Sequence, residues 1–247
     1  MTTQQMLSYL RKGISKYKMI RDGDKIAVGV SGGKDSVTLL KLLAEYKKFS
    51  PEKFDLVAVT VDLNFSESNP DFTPIKELCN NLGVEYLLES TEIGKIVFDV
   101  RKETNPCSLC SKMRKGALHG VAKRLGCNKI ALGHHADDLI DTLLLSLFHE
   151  GRLSTFAPKS YLDKIGLTQI RPMIMIKEID VYSYSKTLPV VKSCCPANKT
   201  TRREYVKEVI SNVAKEIPNV RQMMFTALIH PERYNLFDKF EEQIDEF

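Results

Sequence analysis

The chain has 247 residues, of which 43% are hydrophobic, and its 36 Lys and Arg against 31 Asp and Glu give a net charge of +5. This length and balance are typical of one large globular domain, and six cysteines without a secretory signal argue against a disulfide framework. No apolar run reaches the roughly 20 residues of a membrane span, and residues 1–19 lack an apolar secretory core, so we expect a cytoplasmic protein without a membrane partner.

The first two thirds of the chain alternate between strand and helix patterns. Apolar residues at helical spacing predict an amphipathic helix over 4–17. A β-branched run predicts a strand over 25–30, which a glycine turn joins to a helix over 36–46. Further strands are predicted over 56–61, 85–88 and 129–132, and further helices over 74–82, 108–125 and 137–148. Such alternation predicts a parallel sheet with helices on both faces.

The alternation weakens after residue 150. We predict a polar loop through residue 164, an extended piece over 168–176 that Pro172 interrupts, and a helix over 178–187. Residues 200–247 are charged and mostly helical in pattern, with breaks at Pro218 and Pro231. We therefore expect an amino-terminal helix over 1–20, a sheet domain over 21–190 and a cysteine-containing helical extension over 191–247.

The glycine turn after the first strand has the composition of an anion site. Gly32 and Gly33 let backbone N–H groups approach an anion, and the next helix directs its positive end to the same place. Three side chains add donors: Ser31, Lys34 and Ser36. The common pattern G-x-x-x-x-G-K-[ST] is not met, because Val28 stands at its first glycine and Asp35 at its Ser or Thr. A P-loop kinase or GTPase is therefore disfavoured, and a glycine turn without chemistry is the other reading.

The segment Ser31-Gly32-Gly33-Lys34-Asp35-Ser36 resembles the PP-loop of the ATP pyrophosphatases. Enzymes of that family cleave ATP between its α and β phosphates and adenylate their substrate. The resemblance implies that all six residues bind ATP with magnesium. It also implies catalytic roles for Lys34 and Asp35.

A second polar segment follows the strand predicted over 129–132. It runs Gly133-His134-His135-Ala136-Asp137-Asp138, with Thr142 one helical turn on, and it resembles the G-H-x-x-D-D-x-x-x-T segment of the tRNA-modifying PP-loop enzymes. The resemblance implies that Gly133, His134 and Asp138 line the nucleotide site, with Asp138 also catalytic or in contact with magnesium. A histidine such as His134 is by itself more often structural, and Asp137 is interpreted as a helix cap.

Four of the six cysteines lie in polar surroundings. Cys107 and Cys110 begin a predicted helix next to Lys112 and Arg114, where thiolates, the form that binds metals, are favoured. A redox pair and two buried cysteines are the alternatives for this C-x-x-C. Two more cysteines, Cys194 and Cys195, precede Pro196 and could return to the same face of the sheet, whereas Cys79 and Cys127 are interpreted as packing residues.

Together these motifs, over residues 20–210, resemble the tRNA 2-thiocytidine synthetase family and its close relatives. The resemblance implies an adenine nucleotide alpha hydrolase-like fold and an enzyme that adenylates C2 of a pyrimidine in tRNA and replaces its oxygen with sulfur. It also implies a [4Fe-4S] cluster on three cysteines, here Cys107, Cys110 and Cys195. Cys194 is the alternative third ligand or a sulfur carrier. A structural zinc site fits less well because it needs four ligands.

The same resemblance implies tRNA as a partner, together with a sulfur donor such as a cysteine desulfurase or sulfide. Basic clusters could bind the tRNA phosphates, although about half of such runs are solvated helix faces. The clusters are Arg11, Lys12, Lys16 and Lys18; Lys112, Arg114 and Lys115; Lys123 and Arg124; and Lys199, Arg202 and Arg203. The oligomeric state is left open between a monomer and a homodimer.

Two other functions compete with this interpretation. A PP-loop ligase of the lysidine-synthetase or amidotransferase-like type would use ATP in the same way but needs no metal-binding cysteines, so the C-x-x-C disfavours it. A non-catalytic iron-sulfur or RNA-binding module could retain the nucleotide fold without using it. The intact loop around Lys34 disfavours that module.

Overall fold

The computed structural model describes residues 1–65, 70–101, 106–192, 194–196 and 202–236. Its strands are β1 (Asp24–Gly29), β2 (Phe54–Asp62), β3 (Glu85–Ser90), β4 (Lys129–Ala131), β5 (Lys159–Leu162) and β6 (Leu167–Ile170). Its helices are α1 (Thr3–Lys16), α2 (Lys34–Lys47), α3 (Thr73–Leu82), α4 (Pro106–Arg124), α5 (Ala136–Glu150), α6 (Glu178–Ser185), α7 (Arg202–Glu216) and α8 (Val220–Ile229). No helix among these residues combines the length and apolar character needed to cross a lipid bilayer.

All six strands form one sheet in the order β3-β2-β1-β4-β6-β5. The first four strands and β6 pair in parallel, and β5 pairs with β6 in the antiparallel direction. The predicted α/β fold with a mostly parallel sheet is therefore confirmed. Its edge differs from the prediction, because β5 occupies part of the expected polar loop. This short edge strand is half-exposed and has no apolar run that would have revealed it.

The continuous apolar runs of β1 and β2 reflect burial of the sheet on both faces. Ala27 of β1 packs with Val57 and Val59 of β2 against Val121 and other apolar side chains of α4. Alternate side chains of a strand point to opposite faces, and those on the other face of β1 are also buried. The helix α2 contacts both strands. Burial on both faces is what gives parallel strands near-continuous apolar sequences instead of alternating ones.

A buried ion pair joins the amino-terminal ends of β1 and β4. Lys129 Nζ lies 2.5 Å from Asp24 Oδ2 and also donates to the Met19 carbonyl oxygen at 2.8 Å. The Asn128 side-chain amide and the Arg21 backbone N–H donate to the same carboxylate, at 2.9 and 2.6 Å. The charges are therefore paired and hydrogen-bonded, as burial requires.

The chain divides into two compact units. The larger comprises Met1–Ala136 and Ala157–Thr201, and it contains the whole sheet. The smaller comprises Asp137–Phe156 and Arg202–Phe247, so it contains most of α5 together with α7 and α8. The expected division into 1–20, 21–190 and 191–247 stays a prediction.

A π-helical segment, Lys95–Val100, was not predicted from the sequence. It follows Gly94, whose backbone N–H donates to the Leu63 carbonyl oxygen at 2.6 Å. A Cβ at Gly94 would lie 2.8 Å from that oxygen and 2.9 Å from the Asn64 carbonyl oxygen. Glycine therefore permits a close approach between the segment and the end of β2, which is a tertiary contact that a local pattern does not show.

Candidate active site

The strand order reverses direction between β1 and β4. From β1 the chain continues to β2 and β3 on one side, whereas β4 and β6 lie on the other side. In open sheets of this kind, ligands bind beyond the carboxyl ends of the strands at the point of reversal. Residues 30–33 follow β1 and residues 132–135 follow β4, so the two loops predicted to bind nucleotide flank this point.

The loop after β1 is held in shape by its own serines. The Ser31 backbone N–H donates to Ser36 Oγ at 3.1 Å, and the Ser36 hydroxyl donates to the Gly33 carbonyl oxygen at 2.9 Å. Gly32 has a φ of +83°, and a Cβ there would lie 2.9 Å from the Val191 Cβ. A residue with a side chain would be strained at this position and would also collide with Val191.

The amino-terminal end of α2 has the character of an anion site. Gly33 is the residue before the helix, and no described side chain caps this end through a hydrogen bond. The first N–H groups of a helix have no partner within the helix, and they carry partial positive charge. The PP-loop segment 31–36 can therefore offer backbone donors to a phosphate, together with the Lys34 side chain.

Lys34 lies between two carboxylates from different elements. Its Nζ is 2.7 Å from Asp35 Oδ1 and 3.1 Å from Glu178 Oε1. Burial by itself lowers the pKa of Lys34, but the hydrogen bonds and charges of Asp35 and Glu178 outweigh burial and raise that pKa. The ammonium therefore stays protonated at neutral pH.

The same two carboxylates face a buried histidine from the loop after β4. His135 Nε2 lies 3.7 Å from Asp35 Oδ1 and 4.0 Å from Glu178 Oε1. Neither Glu178 nor His135 was among the predicted site residues. The acidic first turn of α6, where Glu178 and Asp180 follow a sheet strand and a short connection, is the signal that could have indicated Glu178.

Gly133 brings the loop after β4 against the start of α2. A Cβ at this position would lie 2.9 Å from both the carbonyl carbon and the carbonyl oxygen of Asp35. The contact is with backbone, which cannot move away as a flexible side chain can. Gly133 therefore has a packing reason to be glycine, and its predicted contact with nucleotide stays a prediction, as does that of His134.

In the smaller unit, the acidic side chains of α5 pair with arginines of α7 and α8. Arg203 Nη1 lies 2.9 Å from Asp138 Oδ1 and 3.7 Å from Asp141 Oδ2. Arg221 Nη1 lies 3.1 Å from Asp137 Oδ1. These pairs show that Asp138, predicted to contact nucleotide or magnesium, has an arginine as its neighbour in this unit.

Asp141 is the most buried of these carboxylates. Its side chain has no exposed surface, and neither of its oxygens has a hydrogen-bond partner among the described residues. Burial raises the pKa of Asp141 to about 6, against the lowering effect of the charges of Arg203, Lys207 and Arg221. Asp141 was not among the predicted site residues, because the sequence around an Asp in an apolar helical run does not indicate which side chains will surround it.

None of the six cysteines forms a disulfide, and in the larger unit Cys107 and Cys195 lie close enough to Cys110 for their charges to affect it. Cys110 is 8% exposed and packs with Ile93 and Val97. Burial raises the pKa of Cys110, Arg114 opposes this effect by charge and hydrogen bond, and the charges of Cys195 and Cys107 add to it. The predicted ligands Cys107, Cys110 and Cys195 are therefore electrostatic neighbours.

The other cysteines behave differently. The Cys194 thiol donates to the Lys192 carbonyl oxygen at 4.0 Å. Cys79 and Cys127 are buried, and burial raises the pKa of both thiols, that of Cys79 to about 11. Within the described part of the chain, no three His, Cys, Asp or Glu side chains are arranged to enclose a single metal ion.

Comparison with known proteins gives consistent matches across the chain. A family model described as a PP-loop domain matches residues 3–213. The tRNA-cytidine(32) 2-sulfurtransferase of Pelobacter propionicus is 40% identical over 227 residues, covering 89% of this chain and 84% of the relative. The enzyme of the same name from Geobacter sulfurreducens is 37% identical over 222 residues, covering 88% and 86%.

A solved structure supports the fold. The U34-tRNA thiolase NcsA from Methanococcus maripaludis, determined with its [4Fe-4S] cluster, superposes with a TM-score of 0.73. The alignment covers 94% of this chain and 79% of the thiolase at 24% sequence identity. At this level of identity the likeness concerns the arrangement of strands and helices.

Proposed function

Since this chain belongs to the PP-loop family and to the tRNA 2-sulfurtransferases within it, we propose that it is an ATP-dependent enzyme that replaces the C2 oxygen of a tRNA pyrimidine with sulfur. The names of its relatives make the cytidine at tRNA position 32 the expected substrate. One observation carries the proposal: a single compact unit contains both a PP-loop at the reversal point of the sheet and a buried Cys110 with Cys107 and Cys195 as its electrostatic neighbours.

The first chemical step is adenylation of the base. The C2 oxygen of the pyrimidine attacks the α phosphate of ATP, a P–O bond forms, and pyrophosphate leaves. Lys34 is suited to offset the charge that develops on the departing pyrophosphate, because its neighbours keep it protonated. The backbone N–H groups of residues 31–36 suit the remaining phosphate oxygens, and ATP carries magnesium to the site as its counter-ion.

The second step exchanges oxygen for sulfur. A nucleophilic sulfur attacks C2 of the adenylated base, and the former C2 oxygen leaves with AMP. Adenylation is needed because AMP is a far better leaving group than oxide. No electron is gained or lost overall when the sulfur arrives as sulfide, so ATP provides the driving force for the exchange.

The cysteine neighbourhood has the ligand chemistry of an iron-sulfur cluster. Cysteine thiolates are the usual ligands of [4Fe-4S] clusters. Cys107, Cys110 and Cys195 would hold the cluster, which would supply a site for the sulfur to be transferred. Arg114 donates to Cys110 and favours its thiolate form.

The basic cluster on α4 supports a tRNA partner. Lys112, Arg114 and Lys115 are exposed and lie within two helical turns after Cys110. Phosphate groups of an RNA bound there would lie beside the proposed cluster. Lys199, which was predicted to belong to another basic cluster, lies outside the described residues.

The test is a reconstituted thiolation assay. We would purify the protein without oxygen, reconstitute it with iron and sulfide, and incubate it with unmodified tRNA, magnesium-ATP and sulfide before mass spectrometry of the nucleosides. We expect 2-thiocytidine from wild type and none from Lys34→Ala. Lys41→Ala, a change on the same helix that removes only an ion pair with Glu45, should retain activity.

Two results would contradict the proposal. If AMP and pyrophosphate form without any thionucleoside, the enzyme adenylates a different acceptor. If Lys34→Ala is as active as wild type, then the PP-loop does not serve catalysis. Formation of 2-thiouridine instead of 2-thiocytidine would show that cytidine is the wrong base, whereas the proposed exchange of oxygen for sulfur would be supported.

A further inference from the structure

Three separate elements contribute side chains around the Lys34 ammonium. Lys34 and Asp35 come from the first turn of α2, His135 from the loop after β4, and Glu178 from the first turn of α6. The Glu178 carboxylate reaches Lys34 at 3.1 Å and approaches His135 at 4.0 Å. The helix α6 is thus a third element of the site, in addition to the two loops that the motifs indicate.

We propose that Glu178 is a positioning residue that, together with Asp35, fixes the Lys34 ammonium beside the PP-loop, so that its third N–H can donate to a phosphate of ATP. The inference rests on the proposed function, because it assumes that ATP is adenylated at the PP-loop. Glu178 acts through Lys34 and does not itself react.

The geometry explains why a second carboxylate is needed. Asp35 is the next residue after Lys34, and their contact of 2.7 Å forms a local ion pair. Glu178 lies 144 residues away in sequence and accepts from the same ammonium at 3.1 Å, so it ties Lys34 to a second element and fixes the ammonium between α2 and α6.

The position of Glu178 on α6 keeps its carboxylate in place. Glu178 is the first residue of the helix, where the partial positive charge of the helix end stabilises an anion. The site is half-buried, with 28% and 27% of the Lys34 and Glu178 side chains exposed, so ATP can reach the ammonium. An ammonium has three N–H donors, and the one that neither Asp35 nor Glu178 accepts can donate to a phosphate oxygen.

The experiment separates positioning from binding. Glu178→Gln keeps an oxygen that can accept from Lys34 but removes the charge, whereas Glu178→Asp keeps the charge and shortens its reach. We expect kcat for AMP formation to fall about 10- to 100-fold in Glu178→Gln, with an intermediate loss in Glu178→Asp. The dissociation constant of magnesium-ATP should change less than about threefold, because Glu178 contacts Lys34 and acts on its placement in the reacting complex.

A second readout does not depend on turnover. Without ATP, an amine-acylating reagent followed by mass spectrometry measures the reactivity of Lys34. We expect Glu178→Gln to raise the acylation rate of Lys34 by about threefold or more, because one of the two carboxylates that protect the ammonium has lost its charge. Asp180→Asn is the matched control, since Asp180 is also an acidic residue in the first turn of α6, and it should match wild type.

The outcomes distinguish this inference from the proposed function. If Glu178→Gln shows wild-type kcat and wild-type Lys34 acylation, the positioning role is wrong even when the enzyme makes 2-thiocytidine. A loss of ATP affinity equal to the loss of kcat would also overturn it, because Glu178 would then act in binding. If wild type forms no thionucleoside but Glu178→Gln alters Lys34 reactivity and AMP formation, the positioning role of Glu178 is supported and the proposed thiolation of tRNA is wrong.

Discussion

A Cβ at Gly133 would lie 2.9 Å from the carbonyl carbon of Asp35, so the loop after β4 and the start of α2 meet through bare backbone. We predict that Gly133→Ala forces this loop and α2 apart, costing about 1 to 3 kcal/mol of unfolding free energy and weakening ATP binding. Titration calorimetry would measure the ATP affinity, and urea unfolding would measure the unfolding free energy. Gly116→Ala is the control, because nothing lies within 4 Å of its Cβ position and alanine favours a helix such as α4. Wild-type stability in Gly133→Ala would contradict the packing role.

The buried carboxylate of Asp141 predicts an unusual dependence of stability on pH. Its pKa is about 6 in the folded protein against an ordinary value of 3.8, so the folded state holds the proton more tightly than the unfolded state. The contribution of the protonated Asp141 side chain to the free energy of unfolding is therefore complete below about pH 4, and it is lost as the pH rises through 6. We expect Asp141→Asn to be more stable than wild type at pH 7.5 by about 1 to 3 kcal/mol, with little difference at pH 4.

Asp138→Asn is the matched control for that measurement. Asp138 is ion-paired with Arg203 at 2.9 Å, so loss of its charge should weaken the smaller unit at pH 7.5. Urea unfolding at both pH values would show the two variants changing stability in opposite directions. A destabilised Asp141→Asn at pH 7.5 would instead show that Asp141 is ionised and well paired in the folded protein.

The Asp24 and Lys129 pair at the amino-terminal ends of β1 and β4 predicts strong coupling between two substitutions. Removal of one partner leaves a buried charge, so Lys129→Met should cost about 3 to 5 kcal/mol of unfolding free energy. The double variant Asp24→Asn with Lys129→Met should recover a large part of this loss. A double-mutant cycle in urea measures the coupling, and strictly additive losses would contradict it. ATP affinity should not change, since the pair lies at the opposite end of the strands from the PP-loop.

The cysteine neighbourhood predicts which thiols retain iron. Cys107→Ser, Cys110→Ser and Cys195→Ser should each lose most of the iron and acid-labile sulfide after anaerobic reconstitution, because each removes one of three ligands. Cys194→Ser should stay loaded, since the Cys194 thiol contacts the Lys192 carbonyl oxygen. Cys127→Ala serves as a control for loss of a buried thiol. Iron loading in Cys195→Ser but not in Cys194→Ser would make Cys194 the third ligand.

The sequence was most informative where burial is continuous. The apolar runs of β1 and β2 and the glycine turn after β1 predicted the parallel sheet and the PP-loop, because both depend on residues close together in the chain. The contacts of Glu178 with Lys34 and of Arg203 with Asp138 join residues 144 and 65 positions apart. Side chains that meet in this way give no periodic signal, so the partners of the predicted residues emerged only from the fold.

Assembly of the smaller unit has a consequence for the order of folding. The carboxylates of α5 lie 65 and 84 residues before the arginines that pair with them, with β5, β6 and α6 synthesised in between. On a ribosome, the sheet can therefore form while the Asp137, Asp138 and Asp141 cluster still lacks its neutralising partners. The nascent chain therefore completes the smaller unit after the larger one, and Asp137 and Asp138 gain their arginine partners only after α7 and α8 have been synthesised.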